Sequence, residues 1–178
     1  KFDVEKMAET QVEFGAINEQ NLDQLRKLNV ATFPVRYNEK FYQGVLTTPS
    51  EITSYAYMNG FVVGAICCRL EPATGPGPKK LYIMTIGVLA AYRRRRIGRK
   101  LLDRVLEKVQ AGGEVLGEVT EIYLHVQTSN DAALDFYQNA GFTKGELVKD
   151  YYRRIDPPDC YIVSKTISRG DDAAAALE

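Results

Sequence analysis

A strand-like run, a knot of arginines and an amphipathic helix follow one another without a gap between Leu81 and Val109. Leu81-Tyr-Ile-Met-Thr-Ile-Gly-Val88 reads as a buried strand, with Gly and Pro before it and small residues after it. Ile97, Leu101, Leu102, Val105 and Val109 recur at helical spacing and make one apolar stripe. Between them, in Ala91-Tyr-Arg-Arg-Arg-Arg-Ile-Gly-Arg-Lys100, six basic residues crowd the eight positions from Arg93 to Lys100. A helix start leaves backbone N–H groups unpaired and carries a partial positive charge, so it is a natural seat for phosphate. This corner suits an anion, and a pyrophosphate best. The plainer alternative is a solvated basic face or a nucleic-acid patch. Neither the Walker ending Gly-Lys-Ser/Thr nor the dinucleotide glycine fingerprint is present.

Composition narrows the choice. Lys plus Arg and Asp plus Glu balance at 23 each, so the basic cluster is local, which argues against generic coating of nucleic acid, and no DNA partner is expected. No apolar stretch reaches the roughly eighteen residues needed to span a bilayer, and no secretory leader is visible, so no membrane association is expected. Cys67 and Cys68 sit together in a strand-like run and Cys160 lies far away, the pattern of reduced core thiols in a cytosolic or nuclear protein. One His and no Cys-x-x-Cys argue against structural zinc, and no metal site is expected.

The length suits one domain with a substantial core, placed at residues 12–167. The ends, 1–11 and 168–178, are expected to be flexible. Ala173 to Glu178 resembles a cloning scar, and Met7-Ala8 is a candidate natural start. Along the chain we expect a short strand at Val12–Phe14 and a helix from Asn18 to about Ala31, stopped by Phe33-Pro34. A helix at Glu39–Leu46 follows. Strands Ser54–Met58 and Phe61–Leu70 flank Asn59-Gly60, a hairpin signal. Pro72–Pro78 is a flexible surface connection. Gly112-Gly113 ends the long helix, Glu121–Val126 is a strand, and Asn130 caps a helix running to Asn139. Phe142–Val148 and Cys160–Ile167 supply the last strands. The expected fold class is α/β, a mixed and mostly antiparallel sheet flanked by helices, with ligand outside the carboxyl ends of strands that turn into helices.

That order of elements, with its arginine turn, resembles the GNAT family of acetyl-CoA-dependent N-acetyltransferases. The family signature Gln/Arg-x-x-Gly-x-Gly/Ala would read here Arg93-Arg94-Arg95-Arg96-Ile97-Gly98. Four further segments tighten the likeness: Phe33-Pro-Val-Arg-Tyr37, Leu81-Tyr-Ile-Met-Thr85, Ile122-Tyr-Leu-His-Val-Gln127 and Tyr151-Tyr-Arg-Arg-Ile155. They resemble the catalytic-subunit branch of N-terminal acetyltransferase E (NatE), over residues 12–167. Arg96 stands where the signature has its first Gly. We expect a negative φ there, as in an ordinary helix start, because a positive φ would cost an Arg about 1–2 kcal/mol.

Acetyl transfer from a thioester to an amine needs a neutral amine, a held carbonyl and a route for the proton. At pH 7, deprotonating an α-amine of pKa near 7.7–8.0 costs about 1.0–1.4 kcal/mol, against roughly 4.6 kcal/mol for lysine. A modest base acting through water suffices for the former. His125, the only histidine, lies on a strand whose alternation puts Tyr123, His125 and Gln127 on one face. Tyr82 and Met84 share a face of another strand in the same way. A hydrogen-bonded His and a packed Tyr are the plain readings of these residues. The resemblance implies instead that Tyr82 and His125 deprotonate the amine through ordered water.

It implies as well that backbone around Ile86, Gly87 and Val88 holds pantetheine, with a backbone N–H available to polarise the carbonyl; Gly87 could equally be a bulge. Arg93, Arg94, Arg95, Arg96, Ile97, Gly98 and Arg99 would hold the pyrophosphate of acetyl-CoA, the implied cofactor, with Asn130 touching it. Tyr137 would return a proton to the leaving sulfur, its plain reading being packing on Leu134. Phe33, Pro34, Val35, Tyr37, Met84, Tyr151, Tyr152 and Ile155 would form the pocket for a methionine side chain and peptide backbone.

The expected activity is acetylation of peptide or nascent-chain N-termini that begin Met followed by an apolar residue. An auxiliary subunit of a ribosome-associated complex is the implied partner and the cytoplasm the implied place. Two alternatives stay open, a lysine side-chain acetyltransferase and a cofactor-deficient scaffold subunit of such a complex.

Overall fold

The computed structural model describes residues 11–71 and 79–169. The expected Pro72–Pro78 connection and most of both expected flexible ends lie outside them. Among the described residues, seven strands and four α-helices run in the order β1 (Glu13–Ala16), α1 (Leu22–Thr32), α2 (Glu39–Leu46), β2 (Ser54–Met58), β3 (Phe61–Glu71), β4 (Lys79–Val88), α3 (Ile97–Ala111), β5 (Val119–Gln127), α4 (Asp131–Asn139), β6 (Thr143–Val148) and β7 (Cys160–Thr166). The strands hydrogen-bond in the order β1-β2-β3-β4-β5-β7-β6. Pairing of β1 with β2, β2 with β3, β5 with β7 and β6 with β7 is antiparallel, and that of β4 with β5 is parallel. The sheet is thus mixed and mostly antiparallel, as expected.

Contacts divide the described residues into two compact units, one of residues 11–67 and 85–104, the other of residues 68–71, 79–84 and 105–169. In the first, α1 buries Leu22, Leu25 and Leu28, and α2 buries Tyr42 and Val45. Arg26 joins the two helices: its guanidinium reaches both Glu39 oxygens, at 3.0 and 2.8 Å, and lies 4.2 Å from the Tyr42 ring centre. Asn38 caps α2 by accepting the Phe41 N–H at 3.1 Å. The turn between β2 and β3 has φ +49 at Asn59 and +79 at Gly60, the two left-handed residues that a two-residue hairpin turn requires.

Helix α1 begins four residues later than the apolar spacing suggests. The Asn18 carboxamide accepts the N–H groups of Gln20 and Asn21, at 3.0 and 3.2 Å, and so builds a local turn that competes with a helical one.

In the second unit, β5 alternates as its sequence demands. Ile122, Leu124 and Val126 are buried, while Tyr123, His125 and Gln127 are only partly covered. Asn130 caps α4 by accepting the Ala133 N–H at 3.1 Å. The apolar stripe of α3 is fully used: Ile97, Leu101, Leu102, Val105 and Val109 are each at most 1 % exposed. Each such side chain contributes about 1.5–3 kcal/mol of burial. Cys67, Cys68 and Cys160 are buried thiols that are not joined in disulfides. No described helix is long and apolar enough to cross a membrane. Among the described residues no three His, Cys, Asp or Glu side chains gather as a metal site would require.

Candidate active site

The second unit brings together a phenol and an imidazole. Tyr82 on β4 and Tyr123 on β5 are register partners in the parallel ladder that starts at Lys79 and Val119. One alternation further along β5, His125 presents Nδ1 to the Tyr82 hydroxyl at 3.0 Å. Tyr151 stacks on the imidazole with ring centres 4.2 Å apart and planes at 16°. Tyr151 in turn meets Tyr152 edge-on at 4.9 Å.

The loop carrying these two tyrosines is pinned at several points. Gln127 donates to the Pro157 carbonyl at 2.8 Å, the Tyr152 N–H donates to the Pro158 carbonyl at 2.8 Å, and the Asp159 carboxylate accepts the Asp150 N–H at 2.9 Å. Strand β5 therefore carries both the imidazole and, two residues on, the clamp for the ring that stacks on it. Tyr151 is 41 % exposed, an aromatic left open beside a polar pair.

Electrostatics separate the roles of the two partners. Burial, then a hydrogen bond toward Tyr151, push the Tyr82 phenol far above its ordinary range. Burial pushes the His125 imidazole the other way, below 6.5; the Glu71 carboxylate opposes this and Arg69 reinforces it. At neutral pH the pair is a neutral imidazole beside a firmly protonated phenol. Burial raises the Tyr152 hydroxyl to about 12.

Arg69, Glu71 and Tyr123 complete the cluster, and none of the three had been given a functional role from the sequence. The Tyr123 hydroxyl donates to Glu71 at 2.5 Å, Arg69 pairs with Glu71 at 3.1 Å, and the Arg69 guanidinium lies 4.7 Å from the Tyr82 ring centre. A charged pair at i and i+2 closing an otherwise apolar strand was the available signal.

Also in this unit, Met84 shares the partly covered face of β4 with Tyr82. Tyr137 is 3 % exposed, with Phe136 and Phe142 against it edge-on, and burial raises its hydroxyl well above the usual phenol range. Asn130 directs its carboxamide oxygen at the α4 cap. Ile155 is half-covered in the pinned loop.

The first unit holds the arginine turn. Arg93 is extended, and its Nε donates to the Val88 carbonyl at 3.0 Å, which closes the corner after β4. Arg94 and Arg96 both lie in the left-handed region, at φ +65 and +61. The expectation of a negative φ at Arg96 is therefore overturned. The turn imposes there a conformation that favours glycine, and the Cβ crowding that goes with it costs about 1–2 kcal/mol. A left-handed residue inside a turn aims neighbouring N–H groups into one concavity, a shape that accepts anions. Lys100 N–H bonds to the Arg96 carbonyl at 2.9 Å, so the first turn of α3 is closed and its leading N–H groups point outward. Arg93 to Arg96 are exposed. Arg99 Nε pairs with Asp103 at 2.7 Å.

Beside this turn, backbone approaches backbone and ring. A Cβ on Gly64 would lie 2.8 Å from the Gly87 carbonyl oxygen. A Cβ on Gly87 would lie 3.0 and 3.1 Å from the Phe33 ring and 3.2 Å from Thr32 Oγ1. Gly87 is therefore the floor on which Phe33 rests. The Phe33 ring continues to Tyr37 at 6.0 Å and thence to Phe41 at 4.4 Å. Pro34 and Val35 are exposed at the bend, Val35 by 40 %. Ile86 and Val88 alternate with Gly87 on the partly covered face of β4.

The family described as "Acetyltransferase (GNAT) family" matches residues 22–142. The chain is 45% identical over 156 residues to N-alpha-acetyltransferase 50 of Danio rerio, covering 88% of this chain and 89% of that protein. It is 39% identical over 163 residues to "Probable N-acetyltransferase san" of Drosophila melanogaster, covering 92% and 85%. Among solved structures it is similar to Arabidopsis thaliana Naa50 in complex with the bisubstrate analogue CoA-Ac-MVNAL, at TM-score 0.78 and 45% identity, over 86% of this chain and 97% of that one.

Proposed function

The chain belongs to the GNAT family of acetyltransferases, and from that membership we propose that Tyr82 and His125 prepare the α-amine of a peptide beginning Met-apolar for acetylation. The protein is an N-terminal acetyltransferase of NatE type that uses acetyl-CoA. The observation that carries the residue assignment is the 3.0 Å contact between the Tyr82 hydroxyl and His125 Nδ1 under the stacked Tyr151 ring.

The residues fit the carrier they must hold. The turn with two left-handed arginines, the outward N–H groups opening α3 and the exposed cations of Arg93 to Arg96 match a diphosphate in charge and donor geometry. Arg93 serves twice: its Nε holds the Val88 carbonyl, and its remaining nitrogens stay available to phosphate. Ile86 to Val88 offer backbone for pantetheine amides, and Asn130 is assigned to the same ligand. When bound, acetyl-CoA supplies an acetyl group activated as a thioester.

The rest belongs to this chain's own side chains. In this reading Nδ1–H of His125 donates to the Tyr82 oxygen and Nε2 keeps the lone pair. That nitrogen is the proton acceptor, through one water, for an amine that needs only about 1.0–1.4 kcal/mol to lose its proton at pH 7. Tyr82 acts as a phenol that orients the imidazole and the water, since its raised pKa rules out a phenolate at neutral pH. Tyr137, kept protonated by burial, is the residue assigned to return a proton to the thiol carrier, and its raised pKa makes that donation cost more than an ordinary phenol's would.

Phe33, Pro34, Val35 and Tyr37 in the first unit, and Met84, Tyr151, Tyr152 and Ile155 in the second, supply apolar and aromatic contacts for methionine and the peptide backbone. The analogue in the solved relative carries a peptide beginning Met-Val, consistent with that preference. A cytoplasmic, ribosome-associated setting with an auxiliary subunit remains part of the proposal.

The test compares acetylation of a Met-Leu peptide with that of its N-blocked, lysine-containing counterpart. Preference for the free N-terminus is expected, and preference for the blocked peptide overturns the reading in favour of lysine transfer.

A further inference from the structure

Beyond the pair itself stands a charged cluster that the mechanism above leaves unused. Glu71, the last residue of β3, accepts the Tyr123 hydroxyl at 2.5 Å and pairs with Arg69 at 3.1 Å. Both of its partners lean on the catalytic rings. Arg69 lies 4.7 Å from the Tyr82 ring centre, and the Tyr123 ring is 5.0 Å from that of Tyr82 and 6.1 Å from that of His125. We propose that Glu71 is a positioning residue for the Tyr82–His125 pair, anchoring Arg69 and Tyr123 against the two rings and placing a fixed negative charge within reach of the imidazole.

The geometry gives Glu71 two separable effects. Without its carboxylate, Arg69 loses its salt-bridge partner and Tyr123 its acceptor, so the guanidinium and the ring that flank Tyr82 gain freedom. The charge acts independently. Burial lowers the His125 pKa, Glu71 opposes that shift, and Arg69 adds to it. Glu71 is itself held ionised. Burial alone would raise its carboxyl, but the Tyr123 hydroxyl and Arg69 outweigh burial and leave it below the usual carboxylate range. Among the described residues the rings against the imidazole are phenols, Tyr82 from β4, Tyr123 from β5 itself, and Tyr151 from the loop before β7. Lys80, 5.7 Å from the Tyr123 ring centre, is already paired with Glu121 at 2.6 Å. Glu71 is thus the one anion of this cluster acting on the imidazole among the described residues.

This inference rests on the reading of His125 as the base, and its test separates the two. Because the chain has a single histidine, an NMR pH titration of the imidazole reports His125 without further assignment. In Glu71→Gln, the His125 midpoint is expected to move to lower pH. kcat for a Met-Leu peptide falls several-fold, and the peptide KM and acetyl-CoA affinity hold. Glu71→Asp restores part of both effects. An unchanged midpoint in folded Glu71→Gln protein overturns the proposal. A midpoint that moves while the acid limb of the rate profile stays in place supports the coupling and removes His125 as the base. Should Glu71→Gln fail to fold, Glu71→Asp, which withdraws the carboxylate by one methylene, is read in its place. A smaller downward movement is expected there, and a midpoint equal to wild type overturns the proposal.

Discussion

The Tyr82 hydroxyl and His125 Nδ1 lie 3.0 Å apart, joined across neighbouring parallel strands and capped by Tyr151 stacked at 4.2 Å. Neither partner is equipped to work alone. The phenol is too weak an acid to be ionised, and the imidazole needs its Nδ1 proton fixed to leave Nε2 free. Tyr82→Phe and His125→Ala are therefore expected to lower kcat by about 10²-fold or more, the range of general base catalysis. Acetyl-CoA affinity measured by calorimetry should hold in both variants. Full turnover in either one removes that residue from the mechanism.

The same burial that keeps His125 neutral makes folding sensitive to mild acid. A His whose folded pKa lies below its unfolded value of 6.5 gives full stability above 6.5. As pH falls below 6.5 the unfolded chain takes up a proton that the folded chain refuses, and stability is lost until pH passes the folded pKa. Carboxylates such as Glu39 and Glu71 are held low by their hydrogen bonds, so they add their own loss at more acidic pH. Urea unfolding of wild type and His125→Gln, compared between about pH 7.5 and 5.5, isolates the imidazole. The wild type should lose more stability over that interval. Parallel curves would show that His125 is as free to charge in the folded protein as in the unfolded one.

Much of this site was legible in the sequence because it rests on periodicities of two and 3.6. Alternation along β5 places Tyr123, His125 and Gln127 on one face without reference to any neighbour, and the α3 stripe is buried residue for residue. Asn59-Gly60, Asn38 and Asn130 act locally, and each does what its side chain or backbone freedom dictates. What escaped the sequence depends on encounters between distant segments. Nothing local says that Glu71 will meet a phenol 52 residues away, or that Gly87 will lie under Phe33. The handedness of Arg96 escaped for a different reason. An arginine has no intrinsic preference for positive φ, so the turn imposes a conformation that its own residue resists.

Phe33 rests on Gly87 so closely that a methyl group there would meet the ring at 3.0 Å. The ring belongs to the segment assigned to methionine recognition, so pushing it away should degrade substrate binding before it degrades chemistry. Gly87→Ala is expected to raise KM for Met-initiated peptides by more than it lowers kcat, with an overpacking cost of about 1–3 kcal/mol in stability. Phe33→Leu, which gives up the clashing edge, should recover part of that stability when combined with Gly87→Ala. If the double variant is as unstable as the sum of the two single ones, the contact is not the cause.

Arg96 holds a glycine's conformation with an arginine's side chain, at φ +61. Replacement by Gly removes the Cβ crowding, about 1–2 kcal/mol. The greater freedom of Gly in the unfolded chain offsets part of that gain. A net stabilisation of roughly 1 kcal/mol remains, equivalent to about 2–4 °C in Tm for a domain of this size. The cation is lost at the same time. If its charge serves a diphosphate, Arg96→Gly should be more stable thermally and yet bind acetyl-CoA more weakly at low salt, with the deficit shrinking as ionic strength rises. If the side chain only points into solvent, stability rises and affinity does not change at any salt. A fall in Tm would contradict the strain itself.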